Sequence, residues 1–205
     1  MITLIDYNAG NLTSVRLAIE ALGENAVITS DADVVRRADR IIFPGVGAAG
    51  AAMLQLNTFG LVDAIKDVLS RGMPFLGICL GTQILLETSE EDGGVTMLEC
   101  LPGCVKRFQP TSRYDKVPQI GWNQVEYTQQ HQLFDGIISG SDFYFVHSYY
   151  PSPEKPEDCL AVTEYANTRF ASVLARDNLV ATQFHPEKSG KCGLKLLENF
   201  VKWKV

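Results

Sequence analysis

The chain lacks any surplus of positive charge, and that absence bears first on its partners. Its 18 lysines and arginines stand against 24 aspartates and glutamates, for a formal net charge of -6. With no basic excess to neutralise phosphates, nucleic acid is excluded as the default partner. Long hydrophobic runs are missing as well. Met1-Ile-Thr-Leu-Ile-Asp6 meets a charge after a few apolar residues, and no later stretch is apolar for long enough to cross a bilayer, so neither a signal peptide nor a transmembrane helix is expected. The five cysteines are odd in number and irregularly spaced, which suits a reducing compartment better than a disulfide framework. The cytoplasm is therefore the expected location. Cys100 and Cys104 lie close together, but no second pair of cysteines or histidines follows at ligand spacing, and no metal site is expected. Cys159, read as part of a polar loop, and Cys192, in the last helix, have no base nearby in sequence. Internal repeats and low-complexity segments are absent. Pro151-Ser-Pro-Glu-Lys-Pro156 reads as a proline-rich loop, too short to link two domains.

What remains is an ordinary globule. A chain of 205 residues, 46% hydrophobic and 20% charged, fits a single domain over 1–205 with one sizeable core. The first half alternates strand and helix. A short apolar strand over 2–5 leads through Asp6-Tyr-Asn-Ala-Gly10 to a helix that Asn11 would cap, with Leu12, Val15, Ile19 and Leu22 at helical spacing and Gly23 closing it. A buried strand at 40–43, a helical stripe over 61–69 and a strand at 75–78 follow, and this rhythm predicts a parallel sheet with helices on both faces. The second half is richer in short β runs, at 104–108, 123–127, 143–148, 160–165, 171–175 and 180–184, some of them expected to pair antiparallel. A closing helix over 190–202, with Leu194, Leu197 and Val201 on one face, should cover the sheet. The fold class is therefore α/β, a mostly parallel twisted sheet flanked by helices with an additional antiparallel β-rich portion.

Chemistry concentrates in two places. Pro74-Phe-Leu-Gly-Ile-Cys-Leu-Gly-Thr-Gln83 sets Cys79 between an apolar strand and a helix start, with Gly77 and Gly81 two residues away on either side. This is a thiol version of the nucleophile elbow, in which a sharp turn lifts the sulfur into the open and unpaired N–H groups at the helix start favour a thiolate. A small buried hydrophobe ending a core strand is the other reading of Cys79. Near the end of the chain, Leu179-Val-Ala-Thr-Gln-Phe-His-Pro-Glu-Lys188 ends an apolar strand on His185 and places Glu187 just beyond a proline. A histidine there can reach the thiol across a parallel sheet as its base, and the carboxylate can bond the far ring nitrogen and set its tautomer. Together these outline a Cys-His-Glu triad. Pro44-Gly-Val-Gly47 also follows a strand, but no Lys-Ser/Thr pair comes after it to meet phosphates, which excludes a nucleotide loop. Backbone N–H groups there could supply half of an oxyanion hole, unless the segment is a plain tight turn.

The elbow and the late His-Pro-Glu make the chain similar to the class I (triad) glutamine amidotransferases, whose fold is flavodoxin-like. Within them, it resembles the amidotransferase subunits of imidazole glycerol phosphate synthases. Pro44-Gly-Val-Gly47, Pro118-Gln-Ile-Gly-Trp-Asn123, Tyr144-Phe-Val-His-Ser-Tyr-Tyr150 and Ala181-Thr-Gln-Phe-His-Pro-Glu-Lys-Ser-Gly190 carry that likeness across essentially the whole chain. The resemblance implies hydrolysis of glutamine to glutamate and ammonia through a cysteinyl thioester. It implies Cys79, His185 and Glu187 as the catalytic residues, the Gly47 and Leu80 backbone N–H groups at the oxyanion, and Gln83, Ser148 and Tyr149 at the amino-acid end of the substrate. No cofactor is implied. The implied partner is a barrel-fold cyclase subunit that takes the ammonia to a phosphorylated ribulosyl aminoimidazole intermediate in histidine biosynthesis, with interface positions at Asn11, Trp122, Asn123, Tyr144 and Lys188.

The chain departs from the family pattern at Thr82, where methionine is usual, at Ala49, where phenylalanine is common, and at Asn8, where glycine is frequent. Asn8 tolerates positive φ, while Thr82 and Ala49 are expected to remove bulk near the pocket. Two other readings stay open at this point. One is an ammonia-donating subunit for aminobenzoate, anthranilate or pyridoxal phosphate synthesis; the other is a scaffold that keeps the fold without turnover.

Overall fold

The computed structural model describes residues 1–8 and 12–205. The first half runs β1 (Ile2–Ile5), α1 (Leu12–Ala21), β2 (Ala26–Thr29), α2 (Ala32–Arg36), β3 (Arg40–Gly45), α3 (Ala49–Thr58), α4 (Leu61–Ser70), β4 (Phe75–Cys79) and α5 (Leu80–Gln83). The second half adds β5 (Thr88–Ser89), β6 (Val95–Thr96), β7 (Gly103–Arg107), β8 (Gln119–Tyr127), β9 (Ser141–His147), β10 (Tyr149–Pro153), β11 (Cys159–Tyr165), β12 (Thr168–Arg176), β13 (Leu179–Thr182) and α6 (Gly190–Lys202).

A nine-stranded sheet in the order β2-β1-β3-β4-β13-β12-β11-β8-β9 organises the molecule. The ladders from β2 to β13 are parallel, and those from β13 to β9 are antiparallel. The antiparallel portion is thus largely a continuation of the parallel sheet. A separate four-stranded sheet, β10-β7-β5-β6, packs beside it.

Burial explains the layers. Strand side chains alternate, so Ile42 joins one apolar cluster with Val15 and Ile19 of α1 and Leu196, Leu197 and Phe200 of α6. Ile41 and Phe43 point the other way, into a cluster with Val35 of α2, Ala52 and Leu56 of α3, and Leu61, Ala64, Ile65 and Val68 of α4. Both faces of the parallel portion are therefore covered, which is why β3, β4 and β13 read as continuous apolar runs.

Four expectations need correction. The buried face of α6 is Gly193, Leu196, Leu197 and Phe200, whereas Leu194 is exposed and Val201 half-buried, because the run 194, 197, 201 lies on the shoulder of the stripe. The segment read as a loop from Pro151 begins as strand β10, whose residues Pro151 and Pro153 are tolerated because β10 is an edge strand. Cys159 opens strand β11 and does not sit in a loop. The helix expected to start at the elbow is only the single turn α5, too short to build a macrodipole. The expected cap residue Asn11 lies outside the described residues. Asn8 does take positive φ, at 63°, with its N–H bonded to the Asp6 carboxylate at 2.8 Å.

The end of α6 is tied to the sheet by Arg40 at the start of β3. Its guanidinium, half-buried over the Phe200 ring, donates to the carbonyls of Phe200 at 2.7 Å and Trp203 at 2.8 Å. Charge-assisted bonds of this kind are worth about 1.5–3 kcal/mol. Arg40→Ala is expected to lower the unfolding free energy by about 2 kcal/mol, read as a fall in the urea midpoint at unchanged slope.

Candidate active site

Three neighbouring strands deliver the site. β3, β4 and β13 lie side by side and parallel, so their carboxyl ends open on the same edge of the sheet. The chain leaving β3 forms the Gly47 turn, with Gly47 at φ +100°. β4 ends on Cys79, and the chain leaving β13 reaches His185 after Gln183 and Phe184.

Cys79 has φ 56° and ψ -109°, a strained conformation for a residue with a side chain and the mark of a sharp strand-to-helix turn. The elbow packs directly on β3: a Cβ built at Gly81 would overlap the Phe43 carbonyl, so only glycine fits there. Cys79 is 7% exposed, and its sulfur lies 3.9 Å from the Val146 carbonyl and receives the Gln183 side-chain amide at 3.7 Å. Thr82 bonds the Thr182 carbonyl at 2.6 Å, cross-linking α5 to β13. It is fully buried, and neither it nor Ala49 is among the residues that line the cavity.

His185 and Glu187 are both buried. The imidazole Nδ1–H donates to Glu187 Oε1 at 2.7 Å, with side-chain exposures of 3% and 2%. Burial alone would pull the His185 pKa down, but bonding to the Cys79 sulfur and the Glu187 carboxylate, and the charges of both, outweigh it and push the pKa up to about 10. The Nε2 atom has no partner of ordinary hydrogen-bond geometry among the described residues, which leaves a loose sulfur–imidazole contact of the sort that tightens when substrate arrives. Ser189 fixes the segment. Its hydroxyl donates to the His185 carbonyl at 2.6 Å and accepts from the Tyr144 N–H at 3.0 Å, while the His185 N–H bonds the Tyr144 carbonyl at 2.9 Å.

A second histidine sits near the thiol in the opposite state. Burial, opposed by a bond from its Nδ1–H to the Tyr149 carbonyl at 2.7 Å and helped by the nearby His185, pushes the pKa of His147 down to about 4. Its ring lies among Phe108, Phe145 and Phe170. His147 is thus a neutral wall residue, and His185 alone is placed to trade protons with Cys79.

These groups surround a cavity of about 280 Å³, lined by Gly47, Cys79, Leu80, Gln83, Ser148, Tyr149 and His185 from the expected set. That volume suits a ligand of amino-acid size. Gln83 donates through Nε2 to the Tyr149 carbonyl and to Gln183 Oε1, both at 2.9 Å. Glu91 was not singled out from the sequence. It is the one carboxylate among the described lining residues, and its Oε2 accepts from the Ala49 N–H at 2.7 Å. Its only sequence signal is the acidic run Ser89-Glu-Glu-Asp-Gly-Gly94, which does not distinguish it from Glu90 or Asp92. A somewhat larger cavity, about 320 Å³, opens near the amino ends of β4 and β13 between Lys66, Cys100, Arg176 and Asn178. It is remote from the thiol–imidazole pair.

Of the expected interface residues, Trp122, Asn123 and Tyr144 lie on the β8–β9 ribbon and Lys188 follows the His185–Glu187 segment. Trp122 is 57% exposed, which removes core packing as its role, and its ring meets Tyr144 edge-on at 6.1 Å. Exposed Lys188 holds its Nζ 5.9 Å over the Tyr144 ring. Asn123 uses its amide within the chain, on the Glu164 carbonyl at 2.9 Å. Asn11 lies outside the described residues.

Comparison with known proteins shows what the chain as a whole is similar to. The family described as Glutamine amidotransferase class-I matches residues 3–203. Proteins named imidazole glycerol phosphate synthase subunit HisH are similar along nearly the whole chain: that of Chlorobaculum tepidum is 46% identical over 99% of this chain and 100% of its own length. The Desulfovibrio desulfuricans protein is 50% identical over 99% of this chain and 94% of its own. Among solved structures, one titled glutamine amidotransferase superposes with a TM-score of 0.74 at 16% identity, covering 98% of both chains. PurLQS from Thermotoga maritima gives 0.72 at 15%, covering 98% of this chain and 97% of that one.

The raised pKa of His185 yields a direct expectation. In Glu187→Gln the carboxylate is gone while burial stays, so the ring pKa should fall well below about 10. NMR titration of the His185 ring carbons in the two proteins reads the shift, and an unchanged value would contradict the assignment of Glu187 as one of its two causes.

Proposed function

The chain belongs to the class I glutamine amidotransferase family, and on that premise we propose that it works as the glutaminase subunit of an imidazole glycerol phosphate synthase, formed as one domain over 1–205. The observation that carries the site assignment is the convergence of the Gly47 turn, Cys79 and the His185–Glu187 pair around one small cavity. The full-length likeness to HisH subunits disfavours the readings in aminobenzoate, anthranilate or pyridoxal phosphate synthesis.

The chemistry follows from the placement of these groups. With the proton held on His185, Cys79 attacks the side-chain amide carbon of glutamine as a thiolate, forming a tetrahedral oxyanion that the Gly47 and Leu80 N–H groups receive. The imidazolium then protonates the departing nitrogen, and ammonia leaves a thioester on Cys79. Neutral His185 next takes a proton from water, the hydroxide adds to the thioester carbonyl, and collapse frees glutamate and returns the thiolate–imidazolium pair. Glu187 keeps the ring in one tautomer and stabilises its positive form. At the other end of the substrate, Glu91 suits the α-ammonium group by charge, with Gln83, Ser148 and Tyr149 beside it.

Ammonia gives the chain its need for a partner. In water at neutral pH it becomes ammonium, which has no lone pair to attack with, so it must travel by a shielded path. The partner is a barrel-fold cyclase subunit that uses the ammonia to make imidazole glycerol phosphate and aminoimidazole carboxamide ribotide in histidine biosynthesis. Trp122, Asn123, Tyr144, Lys188 and Asn11 meet it, and the exposed Trp122 ring against half-buried Tyr144, next to the catalytic segment, supports that choice. No helix among the described residues is long and apolar enough to cross a membrane, and the five cysteines are free, which supports a cytoplasmic site of action.

Glutamate release from glutamine, measured for the chain alone and with the cyclase subunit and its ligand, tests the reading. Strong turnover in the mixture is expected, with Cys79→Ser at least ~1,000-fold slower; absence of turnover in every mixture would sink it. Trp122→Ala should weaken assembly by about 2 kcal/mol, roughly 30-fold in Kd, by calorimetry, while basal turnover of the isolated chain stays the same.

A further inference from the structure

We propose that Tyr7 is a positioning residue for the oxyanion turn: its buried hydroxyl holds the Val46–Gly47 peptide so that the Gly47 N–H faces the oxyanion above Cys79. The inference rests on the amidotransferase reading and adds a residue that neither touches substrate nor lines the cavity.

Tyr7 lies just past the end of β1, beside β3, and is fully buried. Its ring packs edge-on against Phe43 at 5.5 Å, so the phenol is held in one direction. The hydroxyl donates to the Val46 carbonyl over a long 3.5 Å. It also sits where the two donor segments meet: a Cβ built at Gly45 would lie 2.6 Å from the Tyr7 oxygen and 2.9 Å from both the Gly81 nitrogen and the Leu80 Cβ. Gly45 therefore makes room for this hydroxyl beneath the elbow.

The direction of the effect follows from peptide geometry. In a planar trans peptide the C=O and N–H point opposite ways. A Val46 carbonyl drawn toward a buried hydroxyl turns the Gly47 N–H outward, to the side on which Val46 and Gly47 line the cavity. The far end of the turn is anchored too, since Glu91 accepts the Ala49 N–H at 2.7 Å. Between the two anchors lie only Gly47 and Ala48, and Gly47 at φ +100° is free to rotate unless its peptide is held. Burial, with the nearby charges of Cys79 and Asp6, outweighs the lowering effect of the Val46 backbone contact and keeps the phenol protonated, so it remains a donor across the working pH range.

Tyr7→Phe removes only the hydroxyl. Glutaminase kinetics of this variant and the unaltered chain, each with the cyclase subunit and its ligand, should show kcat reduced about tenfold or more with KM within about twofold. Alkylation of Cys79 by iodoacetamide builds no oxyanion, so its rate should match that of the unaltered chain, and the melting temperature should stay within a few degrees. An unchanged or higher kcat, or a parallel loss of kcat and alkylation rate, overturns the inference while leaving the amidotransferase reading intact. An unaltered chain with no turnover overturns both.

Discussion

The parallel ladder between β4 and β13 is the constraint on which the rest of the molecule depends. Phe75 pairs with Leu179, Leu76 with Val180, Gly77 with Ala181 and Ile78 with Thr182, so the two strands leave the sheet in step. Neighbouring strands lie about 4.8 Å apart, and this spacing brings a thiol and an imidazole that are remote in sequence within reach of each other. A slip of one residue would turn every side chain of β13 to the opposite face and carry His185 away from the sulfur. Burial on both faces makes such a slip costly, because it would break up both apolar clusters at once.

The connection between those strands is itself informative. Parallel neighbours need a crossover, and here it is the whole excursion from α5 through β12. Part of that excursion returns as antiparallel strands that extend the same sheet, so the segment carrying Val146, Ser148 and Tyr149 comes back over the elbow and forms the opposite wall of the cavity. Packing and chemistry are coupled at this point: the bonds that place β9 against the His185 segment, through Ser189 and Tyr144, also set the ring that handles the proton.

Electrostatics then separates two similar groups. His147 and His185 are both buried near the sulfur, yet one has only a carbonyl and three aromatic rings around it and the other has a buried carboxylate. Desolvation acts on both in the same direction, and at His185 the bonds to the Cys79 sulfur and the Glu187 carboxylate, with their charges, reverse it. The proton therefore has one favoured place, and the proposed reaction needs no more than a short transfer from it. A similar arrangement appears in the Gly47 turn, where the Tyr7 hydroxyl and the Glu91 carboxylate bear on the backbone on either side of Gly47.

Much of this was legible in the residues. The elbow around Cys79, the His185-Pro-Glu187 segment and the helical stripes of α1 and α4 carry local signals, because a sharp turn needs glycines and an amphipathic helix needs a period. Other elements had no such signal. α3 is alanine-rich with little periodicity, β2 and α2 are short, and β10 contains prolines that only its edge position makes acceptable. Glu91, Gln183 and Tyr7 are ordinary in the sequence and acquire roles only from what lies across the cavity or under the turn. The sequence by itself determined the cysteine elbow, the late histidine with its neighbouring carboxylate and the α/β rhythm, since those depend on residue type and near-neighbour spacing. Strand order, the state of each histidine and the groups bearing on the Gly47 peptide were decided only by tertiary structure, because burial and contact distance belong to parts of the chain that meet after folding.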